Sequence, residues 1–162
     1  MIFRLLLTAL ASGMLLSACA SSKPAKPAPA HAELIASGDL NPDTSGRASP
    51  VVLRLFQLRN DGEFAGADFF ALYDKEKEVL GASLISREEY VLAPGEDRKL
   101  DLPVSADARF IGVIAAFRDI RAAQWRALSR PPEKTLLHPH LIGKGGITVH
   151  VEKDAVTLVV KD

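Results

Sequence analysis

Hydrophobic and polar positions alternate with a period of two along most of the chain after residue 33, and turn-forming residues bound each run. In the stretch VVLRLFQL, Val51, Leu53 and Leu55 fall on one side and Val52, Phe56 and Leu58 on the other, so only Arg54 and Gln57 interrupt two apolar faces. A strand of that kind is central and covered on both sides. After the turn signal Ala93-Pro94-Gly95-Glu96, Leu100, Leu102 and Val104 alternate with Lys99 and Asp101, the pattern of a half-buried strand. Phe110 to Phe117 is apolar on both faces and contains Gly112, which predicts a central strand with a close backbone approach or a bulge. Ile147, Val149 and Val151, then Val156, Leu158 and Val160, point inward around a turn at Lys153-Asp154, leaving Thr148, His150, Glu152 and Thr157 to water. Strands are therefore expected near residues 33–40, 51–59, 88–93, 97–104, 109–117, 124–128, 146–152 and 155–161. About eight strands predict an all-β sandwich of two packed sheets of four.

One segment breaks the pattern. In FAGADFFALY, Phe64 to Tyr73, the residues Ala65, Phe69, Leu72 and Tyr73 recur at helical spacing, and Asp74 to Ser86 has room for another turn. Aromatic stripes at this spacing bury themselves, so the segment reads as a short helical insertion packed on the sandwich, with Trp125 as a core residue. Ahead of the second strand, Asn41-Pro42-Asp43-Thr44-Ser45-Gly46 supplies preset φ, positive φ and side-chain-to-backbone hydrogen bonds, so it reads as a loop for a physical reason.

The N-terminal region changes the picture of where the domain resides. Arg4 precedes an apolar run, Leu5 to Leu16, long enough for a signal sequence and too short for a comfortable membrane span. Leu16-Ser17-Ala18-Cys19 has the form of a bacterial lipoprotein cleavage site, so residues 1–18 read as a removed leader and Cys19 as the lipidated N-terminus. Several acyl chains at about 0.8 kcal/mol per buried CH₂ make attachment effectively permanent. Ala20 stands where inner-membrane-retained lipoproteins often carry Asp, which directs the expectation to the periplasmic face of the outer membrane. Residues 19–32 then form the anchor and a Pro- and Ala-rich tether of about 40 Å in extended geometry, and residues 33–162 the folded domain.

Composition narrows the functions. The 162 residues, 48% hydrophobic, suffice for one core, and 20 basic against 20 acidic residues leave no net field to favour nucleic acid. Cys19 is the only cysteine, so no internal disulfide forms and no cysteine nucleophile remains. His138-Pro139-His140 is the only close histidine pair and lacks an obvious third metal ligand. Gly143-Lys144-Gly145-Gly146 lacks the spacing of a phosphate loop, and a strand follows where a helix is needed. Glu88 and Glu89 point to opposite faces and read as solvated, while Arg118-Asp119 suits a salt bridge or turn hydrogen bond. No catalytic constellation, cofactor motif or metal site emerges, and an enzyme is not expected.

Four stretches in order, LNPDTSGRASPVVLRLFQL (from Leu40), ADFFALY (from Ala67), LAPGE (from Leu92) and IGVIAAFRDIRAAQWR (from Ile111), resemble the outer-membrane lipoprotein of the bacterial type VI secretion system, the TssJ family. With the leader, they sample nearly the whole chain. The resemblance implies a transthyretin-like β-sandwich that docks the periplasmic C-terminal domain of the inner-membrane TssM (IcmF-like) subunit. It also implies that the loop between the first two strands, here Asn41, Pro42, Asp43, Thr44, Ser45, Gly46, Arg47, Ala48 and Ser49, makes that contact. Asp43 and Arg47 are the charged candidates for orientation and specificity. The alternative is a periplasmic lipoprotein that binds a small ligand or peptide in a pocket near Phe64 to Tyr73. Ser129 to Lys144 is a further candidate contact surface.

Overall fold

A computed structural model describes residues 28–132 and 146–161. Cys19, the leader, most of the tether, His138, His140 and the Gly143–Gly145 turn lie outside the described residues.

The sandwich has two four-stranded sheets. Strands β1 (Ala28–Ala36), β4 (Asp97–Val104), β7 (Gly146–Val151) and β8 (Val156–Lys161) form one sheet in the order β4-β1-β7-β8. Strands β2 (Val51–Leu58), β3 (Leu84–Leu92), β5 (Phe110–Ala115) and β6 (Arg126–Ser129) form the other in the order β3-β2-β5-β6. All pairings are antiparallel except β1 with β7. β1 starts at Ala28 rather than near residue 33, so Ala28 to Ala32, expected in the tether, are paired within the sheet. His31 lies opposite Asp101 on β4 and Gly146 on β7. The first strand also stops at Ala36, and the third reaches back to Leu84.

The period-two reading of β2 holds on both faces. Val51, Leu53 and Leu55 enter the core between the sheets with Leu34, Leu102, Ile111, Val113, Ile147, Val149 and Val151. Phe56 and Leu58 face the other way, into a second core that the helical insertion closes. Gln57, on the inter-sheet face, is 2% exposed and fully used. Its Nε2 donates to the Pro103 carbonyl at 2.8 Å and its Oε1 accepts from the Ser105 amide at 2.8 Å, which joins the two sheets through one buried amide.

The insertion comprises α1 (Gly62–Gly66), α2 (Phe69–Asp74), α3 (Glu76–Leu80) and a 3₁₀ turn at Gly81–Ser83. It is not one continuous helix. Asp68 caps α2, its side chain accepting from the Ala71 amide at 2.9 Å, and this restart shifts the apolar stripe. Phe64, Phe69, Leu72 and Leu80 are buried, whereas Ala65, expected in the stripe, is exposed. The insertion packs on the sheet, with Phe64 and Phe69 filling a core and Tyr73 half-buried against it, while Phe70 is 61% exposed. Trp125 is half-buried between the two cores, edge-on to Phe69 at 5.4 Å.

Two arginines fasten the insertion. Arg126 donates to the carbonyls of Phe64 and Ala67 at 2.8 and 2.9 Å, satisfying groups at the end of α1. Arg54 lies over the Tyr73 ring at 3.9 Å, donates to the Tyr73 carbonyl and pairs with Glu89 at 2.7 Å. Glu89 is exposed, in keeping with the solvated reading, and also takes part in a network that includes Arg87, its carboxyl held below the usual range by the hydrogen bond from Arg54. Glu88 accepts from the Tyr90 hydroxyl.

Candidate functional site

The loop from Ser37 to Pro50 is built around two side chains. Asn41 has φ 46° and is 4% exposed, a left-handed conformation that asparagine tolerates better than most residues. Its Nδ2 donates to the Pro50 carbonyl at 2.9 Å, which closes the loop on itself. Its Oδ1 accepts from the Arg118 amide at 2.8 Å, and its own amide donates to the Lys153 carbonyl at 2.9 Å. One buried residue therefore ties together the β1–β2 loop, the β5–β6 connection and the β7–β8 turn.

Asp43 organises the tip. Its Oδ1 accepts from the amides of Ser45 and Arg47 at 2.9 and 3.0 Å, and its Oδ2 accepts from Arg47 Nε at 3.2 Å. The Asp43 amide donates to the Arg47 carbonyl, and the Gly46 amide to the Asp43 carbonyl, both at 2.9 Å. Gly46 takes φ 79°, a conformation that favours glycine. The Arg47 guanidinium, 84% exposed, is anchored at Nε and Nη2 and presented to solvent. Thr44 and Ser45 are also exposed, Pro42 and Ala48 are half-buried, and Ser49 is buried, its amide donating to the Leu40 carbonyl at 2.9 Å. All nine sequence-selected loop residues thus form one structured unit, although Asp43 directs its carboxylate into the loop rather than outward.

The amides of Arg47 and Ser45, then the Arg47 side chain and the nearby Arg118 charge, hold the Asp43 carboxyl below the usual aspartate range. A lowered folded-state pKa means that the ionised form stabilises the loop above the unfolded pKa, and that this contribution disappears as pH falls through the folded value. Hydrogen-exchange protection of the Ser45 and Arg47 amides is expected to be constant near neutrality and to fall, relative to strand amides, below about pH 4. Asp43→Asn should abolish that pH dependence.

Beside the loop lies a cleft of about 470 Å³ lined by Asn41 to Thr44, Phe117 to Asp119, Ala122, Lys153 and Asp154. Phe117, 6% exposed, supplies its apolar wall. Asp119 is partly occupied in its own turn, with the Ala122 amide 3.4 Å from Oδ1 and 3.2 Å from the Asp119 carbonyl. Sequence reasoning assigned Arg118-Asp119 a local turn role and Lys153-Asp154 a hairpin turn. Their convergence on the β1–β2 loop comes from strand order, a long-range property. Among the described residues no group of three or more His, Cys, Asp or Glu is placed to hold a metal ion.

The comparisons with known proteins bear on this fold and site together. The family profile described as "Type VI secretion lipoprotein, VasD, EvfM, TssJ" matches residues 28–154. The type VI secretion lipoprotein TssJ1 from Pseudomonas aeruginosa superposes with a TM-score of 0.74 at 31% identity, covering 84% of this chain and 98% of that one. Lip from Serratia marcescens, a membrane-bound component of the type VI secretion system, gives a TM-score of 0.73 at 29% identity, covering 84% of this chain and 99% of that one. A chain in a structure of the type VI secretion protein TssM C-terminal domain (869–1107) from EAEC gives a TM-score of 0.64 at 26% identity, covering 83% of this chain and 98% of that one. No curated protein sequence matches. With the profile spanning the sandwich and a solved relative above 30% identity across it, the chain belongs to the type VI secretion lipoprotein family that includes TssJ and VasD.

Proposed function

We propose that this protein is the outer-membrane-anchored lipoprotein of a type VI secretion membrane complex, and that its Asn41–Ser49 loop docks the periplasmic C-terminal domain of a TssM-like inner-membrane subunit. The observation that carries the docking role is the loop itself, polar, exposed from Thr44 to Arg47, and held in one conformation by Asn41 and Asp43, so little ordering entropy opposes binding. The EAEC structure supports the choice of partner. A chain covered 98% by an alignment using 83% of the present one is close to this chain's size and shorter than the span 869–1107, so the match is to a lipoprotein-sized chain in that structure. Cys19 carries the acyl chains, and the residues between it and Ala28 reach about 25 Å when extended, enough to hold the sandwich off the membrane. The mechanism is non-catalytic: the loop supplies binding energy, and the lipid raises the local concentration of partner sites.

Calorimetric titration of the purified lipoprotein against that C-terminal domain from the same bacterium tests the reading. Micromolar or tighter affinity is expected, with at least a tenfold loss, about 1.4 kcal/mol, in a folded Asp43→Ala/Arg47→Ala variant. Binding untouched by the double substitution would remove the loop from the interface, and no binding by the unaltered protein would remove the docking role.

A further inference from the structure

The tether enters the sandwich at one end and the docking loop leaves it at the other. β1 begins at Ala28, opposite Val104 at the close of β4, and runs nine residues, about 30 Å, before the Ser37–Pro50 loop starts. We propose that the end where the tether enters is a lipid-facing surface, on which a cleft lined by Arg109 and Arg130 takes the phosphate of a phospholipid headgroup in the membrane that holds the anchor. This rests on the lipid anchor at Cys19 proposed above and goes beyond it, because an anchor on a tether turns no particular face of the sandwich toward the bilayer.

The fold brings the two arginines to one place. Arg109 stands just before Phe110, the first residue of β5, and its amide donates to the Leu58 carbonyl at 2.8 Å. Arg130 follows Ser129, which pairs with Ile111, and its guanidinium lies over the Phe110 ring, 5.8 Å from the centroid. The arginines therefore flank one aromatic residue, and both line a cleft of about 280 Å³ whose walls include Val104, Ser105 and Pro131. Ser105 Oγ accepts from the Asp107 amide at 3.3 Å, which leaves its own proton to donate. Two guanidinium groups, a hydroxyl and a small apolar wall match a phosphodiester oxygen pair with its glycerol carbons.

Charge selects an anion here. The residues lining this cleft include two cations and no acid. Both arginines are exposed, and among the described residues neither side chain has an ion-pair partner. The acids of this end lie outside the lining: Asp107 pairs with Arg59 at 3.4 Å, Glu63 accepts from Ser83 Oγ at 2.9 Å, and Asp61 sits ahead of α1. Lys161 closes β8 at the same end as a further exposed cation, and residues 20–27 add Lys23 and Lys26 with no acid. Where the chain leads decides the source of the anion. The residues between Cys19 and Ala28 keep this end within about 25 Å of the bilayer, and the Asn41–Ser49 loop stands a strand length further out. Headgroup contact at the tethered end would thus turn the loop toward the periplasm and its partner.

The test places the mature lipidated protein in vesicles of phosphatidylcholine and phosphatidylglycerol that carry a nitroxide-headgroup lipid as quencher. A fluorophore is attached through Asn60→Cys at the tethered end or Thr44→Cys at the loop, the Cys19 thiol being acylated. The Asn60→Cys label is expected to be quenched well above the Thr44→Cys label, and added salt should narrow the gap. Arg109→Gln and Arg130→Gln should each lower the ratio of surface-docked to free sandwich about fivefold, the usual worth of one basic residue at an anionic surface. Arg109→Lys/Arg130→Lys should keep most of the quenching, and Arg121→Gln, at the loop end, all of it. Unchanged melting temperatures should accompany these results, since the arginines are exposed. Quenching that survives the double glutamine change would mean that the tether alone brings this end to the membrane, and equal quenching at both labels would mean that no face is preferred. Either result overturns the lipid site. So does a double variant that stays quenched yet titrates weakly with the TssM-like domain, which would give the cleft to the protein partner. Failure of the unaltered protein to float with the vesicles would instead remove the anchor, and the site with it.

Discussion

Gly112→Val is expected to destabilise the protein by about 1–3 kcal/mol, the range for forcing extra carbon into a packed interior. A Cβ at this position would lie 2.7 Å from the far carbon of the Phe64 ring and 2.9 Å from the two carbons beside it. The ring has little room to retreat. Phe64 is fully buried, its ring centroid is 5.6 Å from that of Phe56, and Phe56 lies directly opposite Gly112 in the β2–β5 register. The missing side chain of Gly112 thus forms the seat on which Phe64 holds the helical insertion against the sheet. Phe64→Ala should cost about 3–5 kcal/mol through the cavity it leaves. The diagnostic result is coupling: in a Phe64→Leu background Gly112→Ala should cost clearly less than alone, measured as the interaction energy of a double-mutant cycle in urea unfolding. Additive costs would show that the ring does not depend on the glycine.

The same pair shows what was legible in the sequence. Gly112 inside an apolar run signals a close approach, because a glycine weakens a strand unless something uses the space. The sequence does not say what approaches, since Phe64 is brought there across the fold. β2 was readable because its two apolar faces each meet a core, and the β7–β8 hairpin because its alternation is local. β1 was not. Ala-Pro-Ala-His-Ala has the composition of a tether, and it becomes a strand only because β4 and β7 pair with it from 68 or more positions away. The helical stripe was displaced by one residue at Phe64 because the periodicity was counted through Asp68, where a cap restarts the helix. Residues 41–46 were legible as a loop from their turn chemistry, and residues 47–49 joined them only through the resemblance to the lipoprotein family. The facing walls of the cleft were not, because Arg118 and Lys153 reach Asn41 by strand order and no local pattern encodes that.

That dependence on Asn41 makes Asn41→Ala the second large effect expected. Alanine leaves the Arg118 amide and the Pro50 carbonyl without the partners that Asn41 provides, and each such group costs about 1–3 kcal/mol where water cannot replace the lost bond. Alanine must also adopt φ 46°, at a further cost of about 1–2 kcal/mol. Asn41→Gly separates the two contributions, because glycine accepts the backbone conformation and still lacks the amide. If the hydrogen bonds dominate, Asn41→Gly should be nearly as unstable as Asn41→Ala in urea unfolding, and both should lose hydrogen-exchange protection at Arg118 before the strands open. If backbone strain dominates, Asn41→Gly should recover almost full stability. Asn41→Asp is the third comparison. It retains an acceptor for the Arg118 amide but not the donor to Pro50, so it should keep the β5–β6 connection in place while loosening the closure of its own loop. A stable Asn41→Gly protein that keeps Arg118 protected would mean that the three connections hold their arrangement without the buried amide, and the pre-organisation of the cleft would need another source.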